Sequence, residues 1–234
     1  MNAGEVMLRL LAPAVPVSSG RSVTVRARLD EVPDIGAWGS WDWDDGHRDN
    51  ERLTGRDLLL PRRAHRYSAP GVYRVQVAVR EADGFDPQLA IRYVTVRRDA
   101  QIAASGWIRD AASATAVPFG FLITAPLEGH GETVTLRCLI DGEDVLGTDL
   151  GWLFNGEPGS LHFGGTARLG DRLGKHPFRV DVHESAGPSG RIGQRMVISL
   201  YRPGGVPGRD SPLRRVSGPI RPGRADVRGF APRT

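Results

Sequence analysis

The chain has 234 residues, of which 40% are hydrophobic and 25% charged, a composition that is typical of globular proteins. This length is sufficient for two domains of about 100 residues, each with its own core. The single cysteine, Cys138, excludes an intrachain disulfide. The longest apolar runs are short and interrupted by proline, glycine or arginine, so we expect no insertion into a membrane.

The N-terminal segment does not resemble an export signal. Its apolar run, residues 7–15, is preceded by Glu5 and interrupted by Arg9. It therefore lacks the basic start and the continuous apolar centre of a signal peptide. We interpret it as a first strand and expect the protein to stay in the cytoplasm until it joins a larger particle.

Residues 1–98 predict a series of β-strands. Trp41 and Trp43 are two positions apart, so on a strand they face the same side. Asp45-Gly46 then supplies a turn, because glycine accepts a positive φ at little cost. Alternating residues after Pro70-Gly71 predict a half-buried strand. The predicted strands are 5–12, 21–29, the strand with both tryptophans, a short strand at 57–61, the strand after Gly71, and 89–96. We expect one tryptophan or both to anchor a core with Tyr67, Tyr73, Val75 and Val77.

Two motifs in this region resemble the PKD family. They are Trp41-Asp42-Trp43-Asp44-Asp45-Gly46 and the run from His65-Arg66-Tyr67 through Pro70-Gly71 to Val79. The family carries W-D-F-G-D-G followed by H-x-Y-x-x-P-G-x-Y-x-V-x-V-x-V, so Trp43 takes the aromatic position and Asp44 replaces the first glycine. The resemblance covers roughly residues 5–98. It implies a small Ig-like β-sandwich, a fold used mostly by scaffold and adhesion modules, and it says little about function.

Residues 99–201 also predict only strands. These are 101–109, 116–125, 133–140, 145–154, 160–169, 176–183 and 194–201, separated by turn dipeptides such as Asp141-Gly142 and Asn155-Gly156. Seven strands in about 100 residues suggest a second sandwich. Cys138 lies in one of these apolar runs, which favours a small core residue over a reactive thiol.

Residues 202–234 differ in composition from both domains. They contain eight arginines and two aspartates, a net charge of +6, whereas residues 1–98 carry +2 and residues 99–201 carry −4. Six prolines and few apolar residues predict an extended arm without a core. We expect the arm to lie on an acidic surface of a neighbouring subunit. The predicted contact residues are Arg209, Leu213, Arg214, Arg215, Ile220, Arg221, Arg224, Arg228 and Phe230. The predicted fold is thus all-β, with two Ig-like or PKD-like sandwiches in tandem and a basic C-terminal arm.

Few residues suggest metal chemistry. The carboxylates of Asp42, Asp44 and Asp45 could bind Ca²⁺, but alternate side chains point to opposite faces, which favours turn hydrogen bonds instead. A second acidic and histidine group lies in a glycine-rich loop and consists of Glu128, His130 and Glu132. His176 and His183 are seven residues apart on one strand and face opposite sides, so they do not predict a zinc site. We predict no bound metal.

Catalytic and cofactor-binding motifs are also absent from the sequence. It contains no G-x-S-x-G, Walker loop, dinucleotide-binding fingerprint or C-x-x-C. We therefore predict no catalytic residue and no cofactor. In the two domains basic residues alternate with acidic ones and aromatic residues are few, which disfavours nucleic acid as a partner.

Three functions remain open on sequence grounds. We favour a non-enzymatic structural or accessory subunit of a large protein particle, such as a decoration or minor structural protein of a phage head, phage tail or tail-like injection machine. Its partners would be other protein subunits in a symmetric assembly. The first alternative is a surface or secreted module that binds carbohydrate or protein, which the PKD resemblance favours and the missing export signal disfavours. The second alternative is an enzyme with an unrecognised site in the second domain.

Overall fold

The computed structural model of the chain describes residues 8–13, 15–29, 37–53, 60, 62–80, 87–98, 101–124, 133–154, 159–172, 174–186 and 192–221. These residues contain 16 strands and no helix, so the protein is all-β, as predicted. Within the described ranges, then, no helix has the length and hydrophobicity needed to cross a membrane. The predicted short strand at 57–61 lies outside the described residues, except for Leu60.

The first eight strands form two sheets. They are β1 (Leu8–Leu11), β2 (Val17–Ser18), β3 (Ser22–Leu29), β4 (Trp38–Asp42), β5 (Arg48–Arg52), β6 (Arg63–Arg66), β7 (Gly71–Arg80) and β8 (Gln88–Arg97). One sheet has the order β1-β3-β6 and the other β2-β8-β7-β4-β5. The β2–β8 pair is parallel and the other pairs are antiparallel. We call this part of the chain the two-sheet unit.

Side chains of both sheets meet in one core. Alternate residues of β3 point into it from one sheet, and alternate residues of β7 point into it from the other. Trp41 and Trp43 are both fully buried there, as their same-side spacing predicts. The hydroxyl of Tyr67 donates a hydrogen bond to the backbone carbonyl of Trp43 at 3.0 Å, and its ring stacks on Tyr73 with 3.8 Å between centroids. The prediction that the tryptophans anchor this core is confirmed.

The next eight strands close into a barrel. They are β9 (Gln101–Arg109), β10 (Ala116–Thr124), β11 (Thr133–Ile140), β12 (Glu143–Phe154), β13 (Ser160–Leu169), β14 (His176–Ala186), β15 (Ile192–Leu200) and β16 (Arg214–Arg221). Each strand pairs with the next, and β16 pairs with β9. The seven predicted strands are present at nearly the predicted positions. They belong to a closed barrel and not to the second sandwich that we predicted. The sequence did not indicate the eighth strand, which closes the barrel.

Inward-pointing side chains fill the barrel. Phenylalanine rings dominate its centre, with 5.1 Å between the ring centroids of Phe121 and Phe163 and 6.1 Å between those of Phe163 and Phe178. Cys138 is fully buried among them. Burial raises the pKa of its thiol because the thiolate would lose its hydration. Cys138 is therefore a core residue, as predicted.

The last strand comes from the segment that we predicted to be an arm. From Arg214 to Pro219 it pairs with β15, and at Ile220 and Arg221 it pairs with β9. Val216 and Ile220 belong to the barrel core. Asp110, in the turn after β9, accepts a hydrogen bond from the backbone nitrogen of Ser217 at 3.1 Å. Residues 214–221 are therefore a strand of the barrel and not part of an extended arm, and contact of their exposed side chains with a neighbouring subunit stays a prediction.

The barrel packs against the outer face of the five-stranded sheet. Val72 and Tyr93 of that sheet form a buried cluster with Ala103 and Leu122 of the barrel. The hydroxyl of Thr95 donates to the carbonyl oxygen of Ala104 at 2.7 Å. Strands β9 and β10 are consequently buried on both faces along most of their length, which explains their nearly continuous apolar sequences.

Charged and polar groups surround this apolar contact. Asp44, in the turn after β4, pairs with Arg137 of the barrel. Arg74 Nε lies 3.3 Å from an oxygen of Asp144, and the hydroxyl of Tyr93 also donates to Asp144. Apolar packing, a buried hydrogen bond and ion pairs thus fix the two-sheet unit to the barrel.

Gly120 on β10 provides a direct test of this contact. A Cβ atom at this position would lie 2.6 Å from Val72 Cγ1 and 2.9 Å from Thr95 Oγ1. We expect Gly120→Ala to lower the free energy of unfolding by about 1–3 kcal/mol, because overpacking forces neighbouring atoms apart. Chemical denaturation measures the change.

The matched control is Gly151→Ala on β12. There the nearest atoms would lie at 3.5 Å, an ordinary van der Waals distance. We expect this variant to unfold at nearly the wild-type denaturant concentration. Equal effects of the two substitutions would show that the loss at Gly120 is not specific to the contact between the barrel and the sheet.

Candidate functional site

The acidic turn after β4 is built by hydrogen bonds within the two-sheet unit. Asp42 Oδ1 accepts from the backbone nitrogen of Asp44 at 3.0 Å, and Asp45 Oδ1 accepts from that of His47 at 3.2 Å. Asp44 Oδ2 accepts from the backbone nitrogen of Arg74 at 2.9 Å. The prediction that these carboxylates serve the turn is confirmed for Asp42 and Asp45, whereas the carboxylate of Asp44 bonds to strand β7 instead. Asp44 has a φ of 64°, the left-handed conformation that favours glycine, and its carboxylate contacts the barrel.

Histidine and aromatic rings pack against this turn. His65 Nε2 lies 2.6 Å from Asp45 Oδ2, and the indole nitrogen of Trp43 donates to Asp49 at 2.8 Å. The rings of His47 and Trp43 stack on either side of His65, with centroids 5.0 and 4.9 Å away. Burial tends to raise the pKa of Asp45, but hydrogen bonds from His65 and the backbone of His47 outweigh it and hold the pKa below its usual value. The polar groups of Asp45 and His65, and of Trp43 and Asp49, are thus hydrogen-bonded to one another, which indicates a structural role for the turn.

The residues predicted to bind a neighbouring subunit have different environments. Arg214 pairs with Glu143 at 2.5 Å and donates to the carbonyl oxygen of Ile140 at 2.8 Å, so it is held by its own barrel. Ile220 is buried in the core. The exposed members are Arg209, Leu213, Arg215 and Arg221. The remaining members, Arg224, Arg228 and Phe230, lie outside the described residues, as do Glu128, His130 and Glu132.

The two histidines on β14 face opposite sides, as predicted. His176 is buried, and its Nδ1 lies 2.9 Å from the carbonyl oxygen of Tyr201. His183 is exposed on the outer face of the barrel. A histidine of the neighbouring strand β13, His162, lies beside it, with 4.8 Å between the ring centroids. This pair of histidines was not predicted from the sequence.

His162, Asp181 and His183 form a cluster that could hold a metal ion. One ligand atom from each residue lies within 4.8 Å of the other two. The register of β13 and β14 places His162 directly opposite Asp181, and His183 follows two residues later on the same face. Their neighbours Leu161, Phe163, Val180 and Val182 point into the core, which places the cluster on the outside of the barrel.

Asp181 is the centre of this cluster. His162 Nδ1 lies 2.6 Å from its Oδ1, and Arg179 Nε donates to both carboxylate oxygens at 2.9 and 2.8 Å. Burial would raise the pKa of Asp181, but the hydrogen bonds from Arg179 and His162 outweigh it and keep the pKa below its usual value. The carboxylate is therefore ionised at neutral pH.

Two exposed aromatic residues flank the cluster. Phe154 is 62% exposed, and its ring lies 6.1 Å from that of His162. The guanidinium of Arg179 lies over the ring of Trp152, 5.9 Å from its centroid. A β-bulge precedes Trp152, and its ring crosses Gly164, where a Cβ would lie 2.7 Å from the indole. We call the set Trp152, Phe154, His162, Arg179, Asp181 and His183 the barrel patch.

A second exposed group lies on the five-stranded sheet, beyond the area covered by the barrel. Trp38 and Leu89 are each 53% exposed there. Trp38 pairs with Arg52 of β5 on one side and with Arg80 of β7 on the other, and both arginines are exposed. Ala78, which is buried, pairs with Leu89 of β8 on one side and with Ser40 of β4, two residues after Trp38, on the other. We call Trp38, Arg52, Ala78, Arg80 and Leu89 the sheet patch.

Comparison with known proteins does not assign either patch. No model of a known protein family matches the chain, and no curated protein matches it significantly. The resemblance of residues 5–98 to the PKD family therefore stays a prediction that rests on its motifs.

Proposed function

We propose that the protein is a non-enzymatic structural or accessory subunit of a larger protein assembly and that it docks through the sheet patch. The observation that carries the proposal is Trp38, a tryptophan that is more than half exposed at the start of β4, an inner strand of the five-stranded sheet, and that pairs in register with two arginines. Tryptophan and arginine are the residues most enriched in the energetic centres of protein interfaces. Exposed apolar patches with a polar rim commonly mark such interfaces.

The chemistry of the patch also indicates the kind of surface that it fits. Trp38 and Leu89 would enter an apolar depression of the partner, and Arg52 and Arg80 would face acidic groups at its rim. The patch residues lie on hydrogen-bonded strands of one sheet, which limits the backbone ordering that docking requires. A PKD-like scaffold in residues 1–98 and a phage head or tail as the assembly are the forms of this proposal that the sequence favours.

Sedimentation of the native assembly tests this role. In lysate of the organism that encodes the chain, we expect the wild-type protein to sediment with large particles. Trp38→Ala should move it to the slow fractions, because truncation of a central tryptophan removes about 2–4 kcal/mol of binding free energy. The thermal midpoint should stay unchanged, since the side chain is exposed.

The control is Trp152→Ala, which removes an exposed tryptophan from the barrel patch. This variant should sediment like the wild-type protein. If Trp38→Ala also sediments with the large particles, the sheet patch is not the docking surface. If the wild-type protein is found only in slow fractions, the assembly role itself is wrong.

A second function is favoured by the barrel patch. Trp152 and Phe154 offer apolar ring faces beside the polar groups of His162 and Arg179, an arrangement that suits a carbohydrate or a peptide. We infer a surface-binding module as the alternative. Titration with soluble polysaccharides, followed by tryptophan fluorescence, should then show saturable binding that Trp152→Ala abolishes and Trp38→Ala preserves. Absence of saturable binding to the wild-type protein would remove carbohydrate from consideration.

A further inference from the structure

We propose that His162, Asp181 and His183 bind one divalent transition-metal ion, with Zn²⁺ as the best-fitting ion, on the outer face of the barrel. The inference does not depend on the proposed assembly role. Two imidazoles and one carboxylate are a ligand set that Zn²⁺ accepts, and a fourth position would stay open to water. His183 is exposed, so an ion can reach the cluster from solvent.

The geometry of the ligand atoms is close to that of a tetrahedral site. Zn²⁺ binds nitrogen and oxygen ligands at about 2.0–2.2 Å, which separates the ligand atoms by roughly 3.3 Å. His162 Nδ1 and Asp181 Oδ1 are already 2.6 Å apart, and no pair of the three ligand atoms exceeds 4.8 Å. A small opening of the hydrogen-bonded pair and a rotation of the exposed His183 ring would bring the atoms to these distances. His162 and Asp181 are held by paired strands, which limits the ordering that binding requires.

The position of Arg179 determines how tightly the ion is held. Its guanidinium donates to both oxygens of Asp181, where it neutralises the carboxylate and opposes a second cation. Metal binding would displace the guanidinium from at least one oxygen. The ring of Trp152, over which Arg179 already lies, offers it an alternative position. Arg179 thus competes with the metal for Asp181, and its removal should strengthen metal binding.

Titration of the metal-free, untagged full-length protein with Zn²⁺ in a calorimeter tests the site. We expect one ion per chain, bound in the micromolar range. His183→Ala should weaken binding at least about tenfold, because it removes a ligand. Since His183 is exposed, this variant should keep the wild-type thermal midpoint, and His162→Gln provides a second variant that preserves much of the side-chain volume. Arg179→Met, which retains an unbranched apolar side chain, should strengthen binding several-fold.

The control variant is His47→Ala, which removes an exposed histidine that belongs to the two-sheet unit and not to the barrel. It should bind Zn²⁺ like the wild-type protein. In NMR spectra, Zn²⁺ should shift the imidazole signals of His162 and His183 and leave that of His47 in place. Absence of stoichiometric binding, or binding that survives the loss of both His162 and His183, would overturn the site. Weaker binding by Arg179→Met would overturn the proposed competition.

Discussion

Replacement of Trp43 by alanine is expected to lower the free energy of unfolding by about 3–5 kcal/mol, the usual result of truncating a fully buried large aromatic residue. Trp43 has no exposed surface. Its backbone carbonyl accepts a hydrogen bond from the hydroxyl of Tyr67, and its indole nitrogen donates one to Asp49. The substitution leaves a cavity and deprives Asp49 of a donor. Chemical denaturation monitored by circular dichroism measures the loss.

The same region of the sheet supplies the control. Trp38 is one strand position from a buried glycine and is itself largely exposed, so Trp38→Ala should change stability by less than about 1 kcal/mol. Comparing the two variants shows how much of the stability loss comes from removing a buried indole and how much from removing an exposed one. If Trp43→Ala and Trp38→Ala unfold at the same denaturant concentration, the core of the two-sheet unit is not organised around Trp43.

Strand positions could be predicted from the sequence because side chains alternate along a half-buried strand. In β7, Val75, Val77 and Val79 are buried in the core of the two-sheet unit, and in β11 the same alternation buries Val134 and Leu136 in the barrel. How the strands are arranged in space was much less evident. Alternation looks the same in a sandwich and in a barrel, and closure depends on pairing between β9 and β16, more than 100 residues apart.

The eighth barrel strand was missed for two particular reasons. Gly218 and Pro219 suggest a loop, and the surrounding arginines suggest a solvated tail. In the structure a Cβ at position 218 would lie 2.1 Å from the carbonyl oxygen of Arg109, so this close approach requires glycine. Pro219 is the last residue of the pairing with β15, and pairing with β9 begins after it, at Ile220, so the proline lies at a junction where a missing N–H is tolerated. Both residues that suggested a loop therefore fit a closing strand.

The histidine cluster could have been predicted, but only by comparing two adjacent strands. A short connection between the predicted strands 160–169 and 176–183 implies an antiparallel hairpin, in which residues equidistant from the turn face each other. His162 and Asp181 are such a pair. Comparing His176 with His183 on one strand could only show that they diverge. The arginine contact of Asp181 and the approach of Trp152 depend on side-chain packing and a β-bulge, which the sequence does not specify.

Removal of β16 is expected to have the largest effect of any change considered for this protein. A chain that ends at Leu213 loses Val216 and Ile220 from the barrel core and the whole pairing with β15 and β9. Loss of the Ile220 side chain alone would cost about 2–5 kcal/mol, and with the strand pairing the total approaches the stability of a typical domain, about 5–15 kcal/mol. The barrel would also expose two unpaired edges that promote aggregation.

The matched control is a chain that ends at Arg221 and so retains every described strand. We expect it to express as a soluble protein with a cooperative thermal transition, whereas the chain that ends at Leu213 should aggregate or lose its near-ultraviolet circular dichroism. The double variant Val216→Ala with Ile220→Ala provides an intermediate case, because it keeps the backbone pairing and removes only the apolar contacts. If the chain that ends at Leu213 melts at the same temperature as the control, residues 214–221 do not close the barrel, and an arm available to a neighbouring subunit, as the composition predicted, becomes the better description.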